Sequence, residues 1–504
     1  MSANFAPGKH QHPDYGSHEE IEADVCVVGS GAGGSATACA LAERGFRVAV
    51  LEEGRHWAPS QFKHRSTWAW RNLYAGRGTR ATQGNAVIVL PGGRGVGGST
   101  LINSAICFRT PEPVLAEWRE DFGCAHFSNQ WMNACFDRIW STLGVSVNPP
   151  EVQRDNNRIF KQGAEVLGLN GQWMARSAPG CVGCGSCQQG CVVGAKRSAD
   201  RTFLAEGLAT NLVGVWADSS VKEIIRSGSG VEVSGHFLDP ATDSPAGSFR
   251  VRARHVVVSA GAIGSPRLLR ASKLGSGPIG ENLHIHPTAG VVGRFTQEIK
   301  PWTGVTQGYY VDRWDRGYLL QTYSAPPDQA WDSLMLPPAE AVEWVANLRS
   351  CAMAGAVVHD RDSVGEVTSH GISYWLGQRD REVLIEGLRD VARVYFAAGA
   401  VAVAPGLRGA GVIERPEDIE AALPLEASAL NIGLYASHPM GTCRMGSSKA
   451  DSVVDPDGRV WGTDSTWVAD ASVFPTSLGV NPQVTVYAIG LTVGRNVAEA
   501  LAKG

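Results

Sequence analysis

The feature that most constrains the fold of this chain is a glycine-rich turn between an apolar strand and a helix. Residues 25–28 form a continuous apolar run, which is typical of a parallel strand buried on both faces. The turn at 29–34 follows, then an alanine-rich helical stretch over 35–44 and a second apolar run over 46–51. This order predicts a βαβ unit that binds a dinucleotide, with an incidental glycine turn in an α/β protein as the alternative.

Each part of this turn has a predicted role. Gly29 permits the tight turn, Gly31 lets the backbone approach a pyrophosphate, and Gly34 allows the helix to pack closely on the strand. The helix N-terminus offers free N–H groups and the positive end of its dipole to phosphates. Glu52, roughly 20 residues after the first glycine, can accept hydrogen bonds from a ribose diol. The turn alone does not distinguish FAD from NAD.

A second glycine-rich segment spans residues 92–103 and includes Gly98, Ser99 and Asn103. Small residues, hydroxyls and an amide in one flexible segment suit a loop that wraps a large planar cofactor. An ordinary surface loop is the simpler interpretation of this segment by itself.

Charge and composition exclude several classes of protein. The 504 residues carry 45 Lys+Arg and 49 Asp+Glu, which gives a formal charge of -4 at pH 7. No excess of basic residues indicates a nucleic-acid partner or an anionic membrane. The length predicts two structural units, which can be interleaved in sequence.

The chain shows no segment that we expect to cross a membrane. Residues 1–20 are polar and lack the apolar core of a secretory signal and a twin arginine. Nowhere do about 18 apolar residues follow one another. We therefore expect a cytoplasmic protein without a spanning helix, and peripheral membrane association stays open.

A series of sequence blocks resembles the glucose-methanol-choline oxidoreductase family of FAD enzymes. Their order and spacing agree with the family from the first strand onward. The block at 256–269 resembles the family's second signature, a strand followed by a glycine turn. The blocks are residues 29–52, 92–103, 256–269, 280–287, 438–446 and 470–485.

The resemblance implies an α/β fold with two interleaved domains. One is an FAD-binding, Rossmann-like domain with a doubly wound, mainly parallel sheet, and the other is an α+β substrate domain with a mainly antiparallel sheet. Residues 1–20 would form a flexible tail. The expected FAD domain comprises 21–110, 200–287 and 428–504, and the expected substrate domain comprises 111–199 and 288–427, with the cysteine-rich segment 181–191 inside it.

The resemblance also implies which residues contact FAD. Some relatives attach FAD covalently through a histidine just before the asparagine of the glycine segment, whereas this chain has Ile102 there, so we expect non-covalent FAD. The implied contacts are Gly29, Gly31, Gly34 and Glu52 to the ADP half, Gly98, Ser99 and Asn103 to the flavin side, Asp470 and Ala471 to the pyrophosphate and ribityl chain, and Val221 to the adenine.

His438 and Asn481 are the candidate catalytic pair that the resemblance implies. Alcohol oxidation needs a base for the hydroxyl proton and a donor to the developing alkoxide. A neutral imidazole suits the first role and the asparagine amide suits the second. Pro482 suits the first turn of the helix that follows, whose positive end would lie beside the cofactor. Without the resemblance, a single His-Pro in a loop is more simply structural.

Two further histidines, His284 and His286, could be interpreted as a metal-binding pair. They match a Gly-x-Asn-Leu-x-x-His-Pro segment of the family instead. We therefore expect a structural turn near the cofactor there, and no metal.

Four of the 11 cysteines lie in one run: Cys181, Cys184, Cys187 and Cys191. The spacing is that of a bacterial ferredoxin run, although no proline follows Cys191 and no second run exists. An iron–sulfur cluster, a zinc ion, and free or disulfide-paired structural cysteines all stay open. The remaining cysteines are scattered singly and are expected to be structural: Cys26, Cys39, Cys107, Cys124, Cys135, Cys351 and Cys443.

These features together predict FAD-dependent oxidation of an alcohol to an aldehyde or ketone, with His438 as base and the hydride passing to the flavin. A cluster would carry electrons to an external acceptor, which favours a dehydrogenase over an oxidase that forms hydrogen peroxide. The aromatic residues within 108–170 and 291–377 favour an alcohol with an apolar or ring portion, and a sugar or glycoside stays open.

Two other classes of protein explain less of the sequence. A nicotinamide-dependent dehydrogenase would share the βαβ unit but would not account for the blocks around His438 and Asn481. A non-enzymatic flavin or iron–sulfur electron-transfer protein would use the cysteine run but would not need His438.

Overall fold

The chain folds around one six-stranded parallel sheet and one seven-stranded, fully antiparallel sheet. The computed structural model describes residues 5–329 and 334–503. The mixed α/β architecture confirms the fold class that the sequence predicts.

The parallel sheet contains the predicted βαβ unit. Val25–Val28 is buried along its whole length and pairs with Val48–Leu51 on one side and with His255–Val258 on the other. The helix between the first two strands covers Ala32–Ala42. The strands lie in the spatial order Gly8–His10, Val213–Trp216, Val48–Leu51, Val25–Val28, His255–Val258 and Thr466–Val468.

Two helices meet on this sheet through their glycines. A Cβ atom at Gly490 would lie 2.4 Å from the carbonyl oxygen of Gly33, and one at Gly494 would lie 2.9 Å from the Ala40 side chain. These contacts advance in the same direction along Ala32–Ala42 and Gln483–Lys503, so the two helices run parallel. Their N-termini therefore lie at the same end of the sheet.

The antiparallel sheet is covered by the helix Gln378–Ala397. Leu384, Leu388, Val391 and Tyr395, which the sequence places on one helix face, are all fully buried. The strands lie in the order Ala402–Pro405, Thr288–Arg294, Cys351–Val358, Tyr318–Thr322, Tyr309–Arg313 and Gly171–Trp173, and Leu434–Tyr435 pairs with Thr288–Arg294.

Smaller sheets and further helices complete the described fold. A four-stranded sheet joins Ser219–Ser227, Gly230–Leu238, Pro245–Ala253 and His18–Glu22; a three-stranded sheet joins Val364–Val367, Ile372–Trp375 and Gln83–Gly84; and Ser146–Val147 pairs with Ala175–Arg176. The other α-helices are Ser66–Leu73, Glu112–Glu120, Asn129–Leu143, Pro150–Val166, Phe203–Ala209, Gly261–Ala271, Pro338–Ala346 and Ile419–Ala422.

Within the described part of the chain, the helices are all too short or too polar to traverse a lipid bilayer.

Candidate active site

A single cavity of about 1650 Å³ runs from the parallel sheet to the antiparallel sheet. Its wall contains all of the predicted cofactor and catalytic residues except Gly34. Those on the wall are Gly29, Gly31, Glu52, Gly98, Ser99, Asn103, Val221, His438, Asp470, Ala471, Asn481 and Pro482. The tertiary structure thus brings together residues from distant parts of the sequence at one place.

The first glycine turn divides into packing positions and an open position. Gly29 has a φ of +103°, and a Cβ atom there would lie 2.3 Å from the carbonyl oxygen of Ser259. A Cβ atom at Gly34 would lie 1.9 Å from the carbonyl oxygen of Gly29, so Gly34 stands behind the turn rather than on the cavity wall. No atom lies within 4 Å of a Cβ placed at Gly31. The open space at Gly31 is where a phosphate could approach the backbone.

Glu52 ties the two glycine segments together. One of its carboxylate oxygens accepts hydrogen bonds from the Ser30 backbone N–H at 3.0 Å and the Ser30 hydroxyl at 2.7 Å. The other accepts from the backbone N–H groups of Gly54 at 3.0 Å and Gly95 at 3.2 Å. Burial raises the pKa of Glu52. The Glu52 carboxylate therefore holds the two glycine segments together and also lines the cavity.

The second glycine segment lies directly against the first. A Cβ atom at Gly98 would lie 2.8 Å from Cα of Gly31, so the two loops approach closely because neither position carries a side chain. The Asn103 amide donates to Oε1 of Gln483 at 2.9 Å, which joins this segment to the first residue of the C-terminal helix. Ile102 lines the cavity at the position where a covalent attachment would need a histidine.

Asp470 lies on the cavity wall beside the start of the helix Gly261–Ala271. Its carboxylate accepts hydrogen bonds from the Gly261 backbone N–H at 2.9 Å, the Ser265 hydroxyl at 2.5 Å and the Ser472 backbone N–H at 2.7 Å. Burial raises the pKa of Asp470. These bonds fix the start of the helix Gly261–Ala271 beside the dinucleotide turn.

His438 and Asn481 touch each other at the cavity wall. Nδ2 of Asn481 lies 3.1 Å from Nε2 of His438, and Gln321 donates to Oδ1 of Asn481 at 2.8 Å. On the other side of the imidazole, Nδ1 of His286 lies 3.1 Å from Nδ1 of His438. The backbone N–H of Gly479 donates to Nε2 of His286 at 2.9 Å. The orientation of the His438 ring is thus set from both sides.

Burial determines the charge state of this pair of histidines. It lowers the pKa of His438 to about 4 and the pKa of His286 well below its ordinary value. Both imidazoles are therefore neutral near neutral pH. A neutral imidazole at the wall of a cavity can exchange a proton with a hydroxyl group.

A buried carboxylate holds the segment that carries His286. Asp360 is 0% exposed and accepts hydrogen bonds from the backbone N–H groups of Ile285 at 3.0 Å and His286 at 3.2 Å. It also accepts from the hydroxyl of Ser477 at 2.7 Å. Burial alone would raise the pKa of Asp360, but these donors and the nearby histidines hold it below its ordinary value.

The sequence predicts a structural turn at His284 and His286, but it does not predict that His286 contacts His438, the candidate base. The histidine at position 286 is visible in the sequence, whereas its proximity to residue 438 is not. Gln321 belongs to none of the sequence blocks described above. It lies within a strand of the antiparallel sheet.

The four-cysteine segment differs from the other cysteines. The scattered cysteines are all buried, whereas Cys184 is exposed and Cys181, Cys187 and Cys191 are partly buried. Among the described residues, no three of these four sulfur atoms lie within 4.8 Å of one another. Zn–S bonds of about 2.3 Å in a tetrahedron would place the sulfur atoms closer together than they lie here.

Two cations meet this segment. Arg176 donates to Sγ of Cys187 at 3.2 Å, and the Lys196 ammonium donates to the carbonyl oxygen of Cys187 at 2.8 Å. Burial alone would raise the pKa of Cys187, but Arg176 and Lys196 lower it. The same lysine donates to the carbonyl oxygens of Leu101 and Asn103 at 2.7 and 2.9 Å. The cysteine segment is therefore bonded to the glycine segment at the cavity.

Comparisons with known proteins agree with this architecture. Models of the GMC oxidoreductase family match residues 70–288 and 359–490, and a model of an NAD(P)-binding Rossmann-like domain matches residues 27–61. The chain is similar to an uncharacterized GMC-type oxidoreductase of Mycobacterium tuberculosis, with 36% identity covering 94% of this chain and 75% of that protein.

Other relatives have named activities. A long-chain-alcohol oxidase of Arabidopsis thaliana is 29% identical, covering 96% of this chain and 69% of that protein. The crystal structure of pyridoxine 4-oxidase from Mesorbium loti has a TM-score of 0.70 at 19% identity, covering 94% of this chain and 98% of that one. At that identity, the structural likeness shows the fold alone.

The chain belongs to the GMC oxidoreductase family. It is an FAD-dependent oxidoreductase that acts on CH–OH groups.

Proposed function

We propose that this protein oxidises an alcohol to an aldehyde or ketone, with His438 as the base, and passes the electrons to an acceptor other than oxygen. The contact between His438 and Asn481, 3.1 Å apart on the wall of the cavity that also contains the dinucleotide turn, carries this proposal. A hydride acceptor and a proton acceptor must face the same carbinol group, and one cavity offers places for both.

The residues of the cavity suit FAD held without a covalent bond. The helix Ala32–Ala42 begins behind Gly31 and presents its N-terminus to the open space. The C-terminal helix begins just after Pro482 and presents a second N-terminus to the same cavity. Positive dipole ends suit the diphosphate and the negative charge of a reduced flavin. When bound, FAD supplies the hydride acceptor of the reaction.

The side chains around the reacting oxygen have separate roles in this proposal. Neutral His438 accepts the hydroxyl proton, because burial keeps its imidazole unprotonated at neutral pH. Asn481 donates an amide hydrogen bond to the alkoxide character that develops on the oxygen. Gln321 and His286 keep these two side chains in position through the contacts described above.

The two sheets fit the interleaved domain boundaries expected above except at two places. Residues expected in a flexible tail form the strand Gly8–His10 and the start of His18–Glu22, and Leu434–Tyr435 pairs with the antiparallel sheet. Residues 21–110, 200–287 and 428–504 would form the FAD domain, and 111–199 and 288–427 would form the substrate domain. In this assignment, the antiparallel sheet contributes Gln321 to the cavity, while the parallel sheet leads into the glycine turn.

The part of the cavity next to the antiparallel sheet favours an alcohol with an apolar portion. Apolar and aromatic side chains line this part together with the polar Gln329 and the charged Arg408, and the apolar ones suit a hydrocarbon or ring. The lining there includes Val89, Tyr323, Met335, Ile432, Leu434 and Tyr435. A sugar or glycoside is the second candidate substrate, because aromatic faces also stack on sugar rings.

The cysteine segment favours a dehydrogenase over an oxidase. Four thiols in a ferredoxin-like spacing, bonded through Lys196 to the cavity segment, would hold an iron–sulfur cluster close to the flavin. Such a cluster would provide a path for electrons to an external acceptor. A peroxide-forming oxidase would need no such path.

Anaerobic mixing of the flavin-loaded protein with a series of primary, secondary and aromatic alcohols tests the proposal. We expect the flavin absorbance to bleach with some of them. Reoxidation should then be faster with an artificial one-electron acceptor than with oxygen. Failure of all alcohols to bleach the flavin would contradict the proposed reaction, and rapid reoxidation by oxygen with release of hydrogen peroxide would show an oxidase.

A further inference from the structure

In the described part of the chain, two cations are buried beside the four-cysteine segment without a carboxylate at ion-pair distance. The Arg176 side chain is 0% exposed and Lys196 is 4% exposed. Among the described residues, no carboxylate oxygen lies within the 4.0 Å ion-pair distance of either side chain, and Asp200 acts on Lys196 only from farther away. Burial of an uncompensated charge is costly, so this pair of cations indicates an anionic group beside them.

Arg176 points its guanidinium at the sulfur atoms. Its Nη2 donates to Sγ of Cys187 at 3.2 Å and its Nη1 lies 3.9 Å from Sγ of Cys181. The remaining donors bond to neutral oxygens, from Nε to the Ser104 carbonyl at 3.0 Å and from Nη1 to the Asn148 side chain at 2.8 Å. Of the described atoms that accept from Arg176, only the cysteine sulfurs can carry a negative charge.

Lys196 stands between the cysteine segment and the cavity. Its backbone N–H donates to Sγ of Cys191 at 3.3 Å, while its ammonium group bonds to the carbonyl oxygens of Cys187, Leu101 and Asn103. Gln188, the residue after Cys187, lines the cavity itself. One residue thus links the sulfur atoms to the segment expected at the flavin.

An iron–sulfur cluster fits this charge distribution better than free thiols do. A cluster held by cysteine thiolates carries a net negative charge, because the thiolate charges exceed that of the core. Buried cations and hydrogen bonds to sulfur stabilise that charge and tune the reduction potential. Neutral thiols or a disulfide would leave both cations uncompensated, and a single thiolate would balance only one of the two positive charges.

We propose that Arg176 and Lys196 are the charge partners of an iron–sulfur cluster bound by Cys181, Cys184, Cys187 and Cys191, and that they raise its reduction potential. The electron path rests on the proposed function, but the charge pairing does not. Each alcohol oxidised releases two electrons, which would leave the cluster one at a time to an external one-electron acceptor such as a haem protein.

Iron, acid-labile sulfide and flavin assayed on the same anaerobically purified protein test the cluster first. We expect iron and sulfide together with flavin, and a paramagnetic resonance signal on chemical reduction. Flavin without iron and sulfide would overturn the proposal, while leaving alcohol-driven flavin bleaching to be judged separately. The two failures are therefore distinguishable.

Redox titration of variants then tests the cations. Arg176→Met should lower the midpoint potential of the cluster, because the reduced cluster carries one more negative charge. We expect the one-electron equilibrium to shift at least tenfold, which is about 59 mV. Lys196→Gln should also lower the midpoint potential, whereas Arg176→Lys should keep most of the wild-type potential.

Arg197→Met is the matched control, since Arg197 neighbours Lys196 in sequence but is exposed. It should leave the potential unchanged. Equal potentials in the wild type, Arg176→Met and Lys196→Gln would overturn the role of the cations. If Arg176→Met does not fold, the comparison of Arg176→Lys and Lys196→Gln with Arg197→Met decides in its place.

Discussion

Nδ2 of Asn481 lies 3.1 Å from Nε2 of His438, although the two residues come from separate loops of the chain. His438 follows the short strand Leu434–Tyr435 on the antiparallel sheet, and Asn481 precedes the helix Gln483–Lys503 that packs on the parallel sheet. The pair therefore forms only where the two sheets meet. Its contact places a proton acceptor and an amide donor around the same point of the cavity wall.

Replacement of His438 by alanine should slow alcohol-driven flavin reduction by roughly 10²–10⁴-fold, because general-base catalysis contributes about that much. FAD binding should persist, since the predicted nucleotide contacts are untouched. Stopped-flow bleaching under anaerobic conditions measures the rate, and His370→Ala at an exposed position is the control. An unchanged rate in His438→Ala would remove the base assignment.

The rate of flavin reduction should depend on pH through His438. The base must be unprotonated, and burial lowers its pKa to about 4, so activity should fall only as the pH drops through that value. From about pH 6 upward the rate should be flat, as the imidazole is then fully neutral. A pH series of single-turnover reduction measures this profile. An acid limb centred near the ordinary histidine pKa would contradict this prediction, because burial would then not control the protonation of His438 during the reaction.

His286 offers a test of the positioning contact. His286→Phe would leave the backbone N–H of Gly479 without its acceptor, and an unsatisfied buried donor costs about 1–3 kcal/mol. We expect a lower free energy of unfolding in denaturant titrations, together with slower flavin reduction. His286→Gln can keep an acceptor there and should lose less of both. Equal stability of the two variants would show that the Gly479 bond contributes little.

The first glycine turn permits a paired test of packing against cofactor binding. Gly34→Ala would place a Cβ atom 1.9 Å from the carbonyl oxygen of Gly29, so we expect loss of stable folded protein. Gly31→Ala meets no atom within 4 Å, and the φ of Gly31 is -65°, so this variant should fold. Its methyl group projects into the space expected for the diphosphate. Flavin retention after gel filtration should therefore fall while the unfolding temperature of the flavin-free protein stays close to that of the wild type.

Two results would contradict these predictions for the glycine turn. Full retention of flavin in Gly31→Ala would show that the diphosphate does not approach Gly31. Normal folding of Gly34→Ala would show that the helix Ala32–Ala42 can move away from its strand, contrary to the close packing seen here.

Local sequence patterns predicted the nucleotide end of the fold well. The strand Val25–Val28, its glycine turn and the helix that follows depend on interactions between neighbours in sequence, namely apolar burial, tight turning and helix propensity. Gly29, Gly31 and Gly34 occupy the positions that these interactions indicate. The two catalytic candidates came instead from the resemblance to a family, since a single histidine in a loop carries little information of its own.

Contacts between distant residues were decided only by the tertiary structure. His286 meets His438, Gln321 meets Asn481, and Lys196 meets Asn103 because separate strands and loops end at one cavity. A sequence records which residues can donate, accept or carry charge, but not which of them share a buried volume. Long-range packing of the two sheets sets that volume, and with it the protonation of His438 and the burial of Arg176 and Lys196 beside the cysteines.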